Sequence, residues 1–210
     1  SVSAEASADV NPDKAELVFG VVSRGTDPAA IQADNDASVR NIINAVQAMG
    51  VPAGNIKTVG YSLDRWTEWN DTLRTSVDMG YVLTNQVRVV TYNVSQAGGI
   101  LKAAVSGGAN SVDSVSFGLS DALQQKTYNG LLGTAAGQAD DKAKAMASAA
   151  GVSLGKLQYM NEGYSYAQPL SNYNYRSMAA GASAAAPMPA TVTPGLAKVT
   201  ADVTASYAVN

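Results

Sequence analysis

The side chains that most often carry out chemistry are scarce in this 210-residue chain. It contains no histidine and no cysteine, so no imidazole can activate a serine and no thiolate can attack. Zinc fingers and disulfide frameworks are excluded with them. A serine–lysine dyad would need Ser-x-x-Lys at the start of a helix, and none stands there. Carboxylates pair at Asp34/Asp36, Asp140/Asp141 and Glu68/Asp71. The first two pairs fall on polar faces of predicted helices, where solvation is the ordinary role of an acid. Asp34 to Asp36 also lacks the glycine and distant glutamate of a calcium loop. Gly130, Gly133 and Gly137 match neither phosphate-loop spacing, and no lysine follows in place. The expectation is therefore a protein that is not an enzyme, with no catalytic, metal-ligating or cofactor-binding residue to nominate. Two tripeptides, Asn70-Asp71-Thr72 and Asn93-Val94-Ser95, fit the glycosylation pattern, which makes Asn70 and Asn93 candidate modification sites.

What remains is recognition. Trp66 and Trp69, the only tryptophans, lie in the polar stretch 64–80, "DRWTEWNDTLRTSVDMG". This stretch is expected to form a long hairpin with its tip at Asn70-Asp71. Residues 163–195 are rich in Ala, Ser, Pro and Tyr and show no hydrophobic period, as in a long connection. Tyr164, Tyr166, Tyr173 and Tyr175 sit within it. Tryptophan and tyrosine are enriched at interface hot spots, so these six aromatics are the candidate subunit-interface residues.

These segments are expected to surround the stretch Tyr81 to Asp121. Tyr81, Leu83, Val87 and Val89 fall on one face of a strand, with Asn85 as the polar exception. Asn93 stands where a helix N-cap belongs. Val94, Ala97, Ile100, Leu101, Ala104 and Val105 follow at helical spacing, and Gly107-Gly108 stops the helix. Val115, Phe117 and Leu119 resume the period of two. Upstream, residues 1–10 alternate as a half-buried strand, "NPDK" offers a turn, and Ala15 to Val21 answers as a second strand, predicting an N-terminal hairpin. A helix opens at Asp27-Pro28, with Ile31, Val39, Ile42, Val46 and Met49 as its buried stripe. The octamers at Ile56 to Leu63 and Val112 to Leu119 are alike and raise the prospect of a duplicated strand–helix–strand unit, convergent strand composition being the alternative. Asp121 to Ala150 reads as one long helix, Leu157 to Glu162 as a strand. The alternating strand Lys198 to Val209 is expected to pair with the N-terminal one.

Composition bounds the reading. With 46% hydrophobic residues the chain can bury a core as one domain, or as two small ones sharing a sheet. The net charge of −3 leaves no basic patch for nucleic acid. No apolar run approaches the ~20 residues of a membrane helix. The chain opens at Ser1 rather than Met, as expected after removal of a secretory signal; a trimmed sequence is the plain alternative. The expected class is α/β of the α+β type, a mixed, largely antiparallel sheet covered by helices. Its sub-parts would be 1–80, 81–162, the loop 163–195 and the closing strand 196–210.

Taken in order, these blocks resemble the SIMPL domain family over nearly the whole chain. "VSAEASADVNPDKAELVFGV" is similar to the family's opening hairpin, though Ala4 and Ala6 stand where glycines are usual. "NIKTVGYSL", "MGYVLTNQVRVV", "AAGVSLGKL" and "VTADVTASYAV" follow, and the segment Gly108 to Asp121 carries the most specific likeness. Gly130 and Gly133 interrupt a helix that is normally better formed. The resemblance implies a single domain spanning 1–210, an extracytoplasmic location in periplasm or at the cell surface, and self-association, because some members look like ring- or channel-shaped homo-oligomers. No catalytic residue carries over from it. The expected function is an exported, non-enzymatic protein whose partners are copies of itself. The alternative is an envelope stress-defence module holding a small ligand or a protein partner.

Overall fold

A computed structural model describes residues 1–163 and 194–209. In chain order its elements are β1 (Val2–Val10), β2 (Lys14–Gly25), α1 (Pro28–Ala48), β3 (Ile56–Asn70), β4 (Thr75–Thr91), α2 (Ala97–Gly107), β5 (Ser111–Gly118), α3 (Asp121–Ala149), β6 (Leu154–Glu162) and β7 (Ala197–Val209). The mixed helix-and-sheet class is as expected, but the strands divide between two sheets, of order β1-β7-β6 and β3-β4-β2-β5. Two compact units result. One is built from residues 1–13, the described part of 118–170, and 194–209; the other from residues 14–117. They do not follow the sub-parts 1–80 and 81–162.

In the first unit the alternating ends of the chain meet. β1 runs antiparallel to β7 from Val2↔Ala205 to Val10↔Ala197, as the sequence predicts. One face of this pair lies under α3. Ala135, Ala139, Ala143 and Ala147 recur every fourth residue and are buried, against Ala6, Val199, Ala201 and Val203 toward one end and Val2 and Ala205 toward the other. Small side chains on both layers bring the helix close to the sheet. At the start of α3, Ser120 is the N-cap, its hydroxyl accepting from the Leu123 amide.

The predicted β1–β2 hairpin does not form, because β1 pairs with β7 and β2 with β4. Asn11-Pro12-Asp13 instead leads the chain out of one sheet toward the other, and Asp13 is committed elsewhere. Its carboxylate accepts from the Ser120 amide at 2.5 Å and the Ser120 hydroxyl at 2.6 Å. A turn-forming aspartate in sequence is thus the clasp on the N-terminus of α3, where a negative charge is favoured by the helix dipole.

The second unit has the order β2-α1-β3-β4-α2-β5 in a sheet β3-β4-β2-β5, the split β-α-β arrangement. Its two halves, β2-α1-β3 and β4-α2-β5, repeat the strand–helix–strand order, and the octamers Ile56 to Leu63 and Val112 to Leu119 fall on β3 and on β5 with the residue after it. Leu17, Phe19, Val21, Val87 and Val89 on the inner face of the sheet pack against Val39, Ile42 and Val46 of α1 and Ile100 and Ala104 of α2. Asp27 caps α1 by accepting from the Ala29 amide at 2.9 Å, and Gly108, with φ +117°, ends α2. The expected cap at Asn93 is corrected: Asn93 precedes a 3-10 turn, Val94–Gln96, and its side-chain oxygen takes the Ser95 hydroxyl at 2.6 Å rather than a helix amide. Asn110 does backbone work at the sheet edge. Its side chain accepts from the Val22 amide and donates to the Val22 carbonyl, mimicking a peptide group before β5 begins.

Candidate functional site

β3 and β4 run on past the rest of their sheet. Pairing of β2 with β4 ends at Gly25↔Tyr81, whereas β3 and β4 remain paired out to Asn70↔Thr75. Residues 66–80 therefore form a two-stranded arm, as the sequence reading expected, with its turn just past Asn70. At the turn the Asn70 side-chain oxygen accepts from the Leu73 amide at 2.9 Å, and Arg74 takes a left-handed φ of +49°.

The root of the arm is bent. Pairing shifts register between Trp66 and Thr67, and Gly80 has φ +108°. A side chain at Gly80 would collide with the Gly25 carbonyl oxygen, so glycine is required there for both conformation and space. Asp78 holds the bend from both sides, accepting from the Gly80 amide at 2.9 Å and pairing with Arg65 at 3.1 Å.

This geometry separates the two tryptophans. Trp66 is half-buried at the root, with the Arg24 guanidinium 5.2 Å above its ring, a cation–π stack within its own unit. Trp69 is 62% exposed near the end of the arm, and Leu73 in the turn is 65% exposed. Only Trp69 of the pair is presented outward as the reading required. Tyr164, Tyr166, Tyr173 and Tyr175 lie outside the described residues. The sequon asparagines Asn70 and Asn93 both use their side-chain oxygens in local turns.

Two features escaped the sequence. The first is an apolar strip on β3: Tyr61 and Leu63 stand across from buried Asn85 and Leu83, yet both are exposed. Among the described residues the helices pack on β2 and β4 rather than on β3. The signal was present, since Lys57, Asp64, Arg65 and Glu68 scatter through β3 as charges do on a protected edge strand. The second is a cleft of about 290 Å³ in the first unit, whose walls include Val2, Met146, Ala147, Val152, Leu154 and Tyr207. Ala143 and Ala147 of α3, Leu154 of β6 and Tyr207 and Val209 of β7 meet around it. The alternation out to Tyr207 and Val209 was the clue.

Beside the cleft stands a small polar group. Lys144 pairs with Asp140 one turn earlier at 2.5 Å, and the Tyr207 hydroxyl is directed at the same carboxylate. The hydrogen bond from Lys144 holds the Asp140 carboxyl below its ordinary range, and the same bond raises Lys144. Partial burial, then the Asp140 charge, pushes the Tyr207 phenol up. These shifts strengthen the ordinary protonation states and give neither a base nor a nucleophile near neutral pH. Among the described residues no group of three or more potential ligands could hold a metal ion, and no helix is long and apolar enough to cross a membrane. The surfaces offered for contact are an apolar cleft, an apolar strip and an aromatic knob.

Comparison with known families bears on the whole chain. The SIMPL family model, described as a protein of unknown function (DUF541), matches residues 1–207. Among curated proteins, none matches the sequence. The match runs through the arm and through nearly all of both units: the chain belongs to the SIMPL family.

Proposed function

We propose that this protein is an exported, non-enzymatic component that associates with copies of itself into a ring, tube or envelope-surface structure. The observation that carries the proposal is the arm, which projects Trp69 and Leu73 outward on a stiffened, bent hairpin. Fully burying a large apolar side chain stabilises by roughly 1.5–3 kcal/mol, so both residues favour an association that covers them. Export is carried over from the likeness to the family, and its check is fractionation of cells expressing the full-length protein. The self-association is tested by light scattering on eluted protein and by negative-stain imaging. Particles several times the 21.5 kDa chain are expected; a monomer at every concentration up to the solubility limit would overturn the reading.

A second reading is favoured by the cleft, which has the size and apolar lining of a small-ligand site. It makes the protein an envelope stress-defence module. Ligand-dependent rise of the melting temperature on screening apolar compounds supports it, and a flat response across such a screen counts against it.

A further inference from the structure

The arm of one unit and the cleft of the other are complementary surfaces, although each belongs to a separate region of the chain. We infer that Trp69 at the end of the arm inserts into the Val2–Met146–Tyr207 cleft of a second copy of this chain, so that the copies join head to tail. This rests on the self-association proposed above and names its contact.

Size is the first argument. An apolar cavity of ~150 Å³ is enough to bind benzene. The cleft of about 290 Å³ therefore admits an indole with space left for part of Leu73. Chemistry is the second. The cleft is lined by aliphatic side chains together with Ser1, Met146 and Tyr207, and a thioether and a phenol both make favourable edge contacts with an aromatic ring. Met146 is itself 56% exposed, a large apolar side chain on the lining that the described residues leave accessible.

Charge is the third. The arm, residues 66–80, carries Glu68, Asp71 and Asp78 against Arg74, and with Asp78 paired to Arg65 at the root it stays net negative by one charge. The segments that form the cleft walls, residues 1–4, 142–157 and 205–209, carry Lys142, Lys144 and Lys156 and no carboxylate. Lys144 is paired with Asp140, which leaves a net positive margin facing a net negative arm. Opposite potentials steer the two surfaces together and set which end of the arm meets the cleft.

The contact joins two different patches and so is heterologous. Each copy offers both a knob and a hole, and repetition closes into a ring or continues as a filament. One buried tryptophan contributes only ~150–250 Å², well short of the ~1,200 Å² of a standard interface. The arm strands flanking Trp69 and the rim of the cleft must supply the remainder, and repetition around a ring adds avidity.

The absence of cysteine makes a clean test possible. Ser76 lies directly across the arm from Trp69, and Val209 is on the cleft lining. Ser76→Cys and Val209→Cys chains are prepared separately, then mixed and oxidised. The expected result is a disulfide-linked pair in the mixture and in neither chain alone. In parallel, Trp69→Ala and Met146→Glu should each weaken association by roughly tenfold or more, as truncation of a hot-spot aromatic does, with far-ultraviolet circular dichroism unchanged. Higher salt should weaken the wild-type contact further. If the wild-type protein assembles but links only Ser76→Cys to itself, or ignores both Trp69→Ala and Met146→Glu, the head-to-tail contact is wrong and self-association stands. If the wild-type protein never assembles, the self-association reading falls and takes this contact with it.

Discussion

Asn35 sits on the stripe of α1 between Ile31 and Val39 and is fully buried. Its amide donates to the Val21 carbonyl at 2.9 Å and to the Ser23 hydroxyl at 3.2 Å, tying α1 to β2. Its own oxygen is buried and has no hydrogen-bond partner among the described residues. The two atoms pull in opposite directions. Asn35→Ala removes a helix-to-strand bond but also removes an orphaned oxygen, so a loss of about 1–2 kcal/mol is expected. Asn35→Asp keeps the shape and replaces the donor with a charged acceptor facing a carbonyl, so it should cost about 3 kcal/mol or more. Urea unfolding midpoints at constant slope check this; equal losses for the two variants would mean that the Val21 bond contributes little. The position was legible in one respect, since residue 35 is four after Ile31 and four before Val39. An asparagine inside "DND" reads as solvated because composition says nothing of a carbonyl waiting across the layer. Tyr207 gives a second residue-scale test. Its phenol is raised by partial burial and then by Asp140, so the neutral form's contribution to stability is complete below the unfolded value near 10. It is lost as pH rises through the higher folded value. Asp140→Asn should lower the Tyr207 ionisation, read by phenolate absorbance in an alkaline titration. No movement would assign the whole shift to burial.

Among elements, α3 and the arm make opposite use of glycine. Gly130, Gly133 and Gly137 lie within α3, and a methyl group added at any of them meets nothing within 4 Å. Gly137→Ala should therefore stabilise by roughly 0.4–1 kcal/mol through helix propensity and a less flexible unfolded chain. Gly80→Ala should destabilise by ~2 kcal/mol or more, because φ there is +108° and the methyl would strike the Gly25 carbonyl. Thermal melts of the two variants should move in opposite directions, and a fall for Gly137→Ala would mean that its exposed face is needed by a partner. The elements themselves were readable because period and punctuation are local: the Asp27 cap, the Gly108 stop and the strand alternation of β1 and β7 all depend on neighbours in sequence. Pairing was not. The alternation of β1 and β2 says which face of each strand is covered, not which strand lies alongside. "NPDK" satisfies the chemistry of a hairpin turn equally well when Asp13 is spent on Ser120. The exposure of Tyr61 and Leu63 was hidden for the same reason, because their cover depends on where helices from other parts of the chain come to rest. Trp66 was grouped with Trp69 by spacing and separated from it by Arg24, a residue forty-two positions earlier.

For the whole molecule, the question is whether association is specific or a consequence of low charge. Seventeen acidic and fourteen basic side chains leave −3 at neutral pH, and the sequence pI is about 4.8. Self-repulsion is thus weak throughout and vanishes near pH 4.8, where any protein of this charge gathers nonspecifically. The head-to-tail contact has a different origin. It draws on the apolar burial of Trp69, which is insensitive to pH, and on carboxylates of the arm facing lysines around the cleft, which needs both groups ionised. The specific assembly should therefore be strongest between about pH 6 and 9, where carboxylates and lysines are both charged, and Trp69→Ala should abolish most of it there. Near pH 4.8 turbidity should rise equally in wild-type protein and in Trp69→Ala. Scattering of both proteins across this range separates the two: a common profile for wild type and Trp69→Ala would mean that net charge alone drives the particles together, and that the arm has no part in building them.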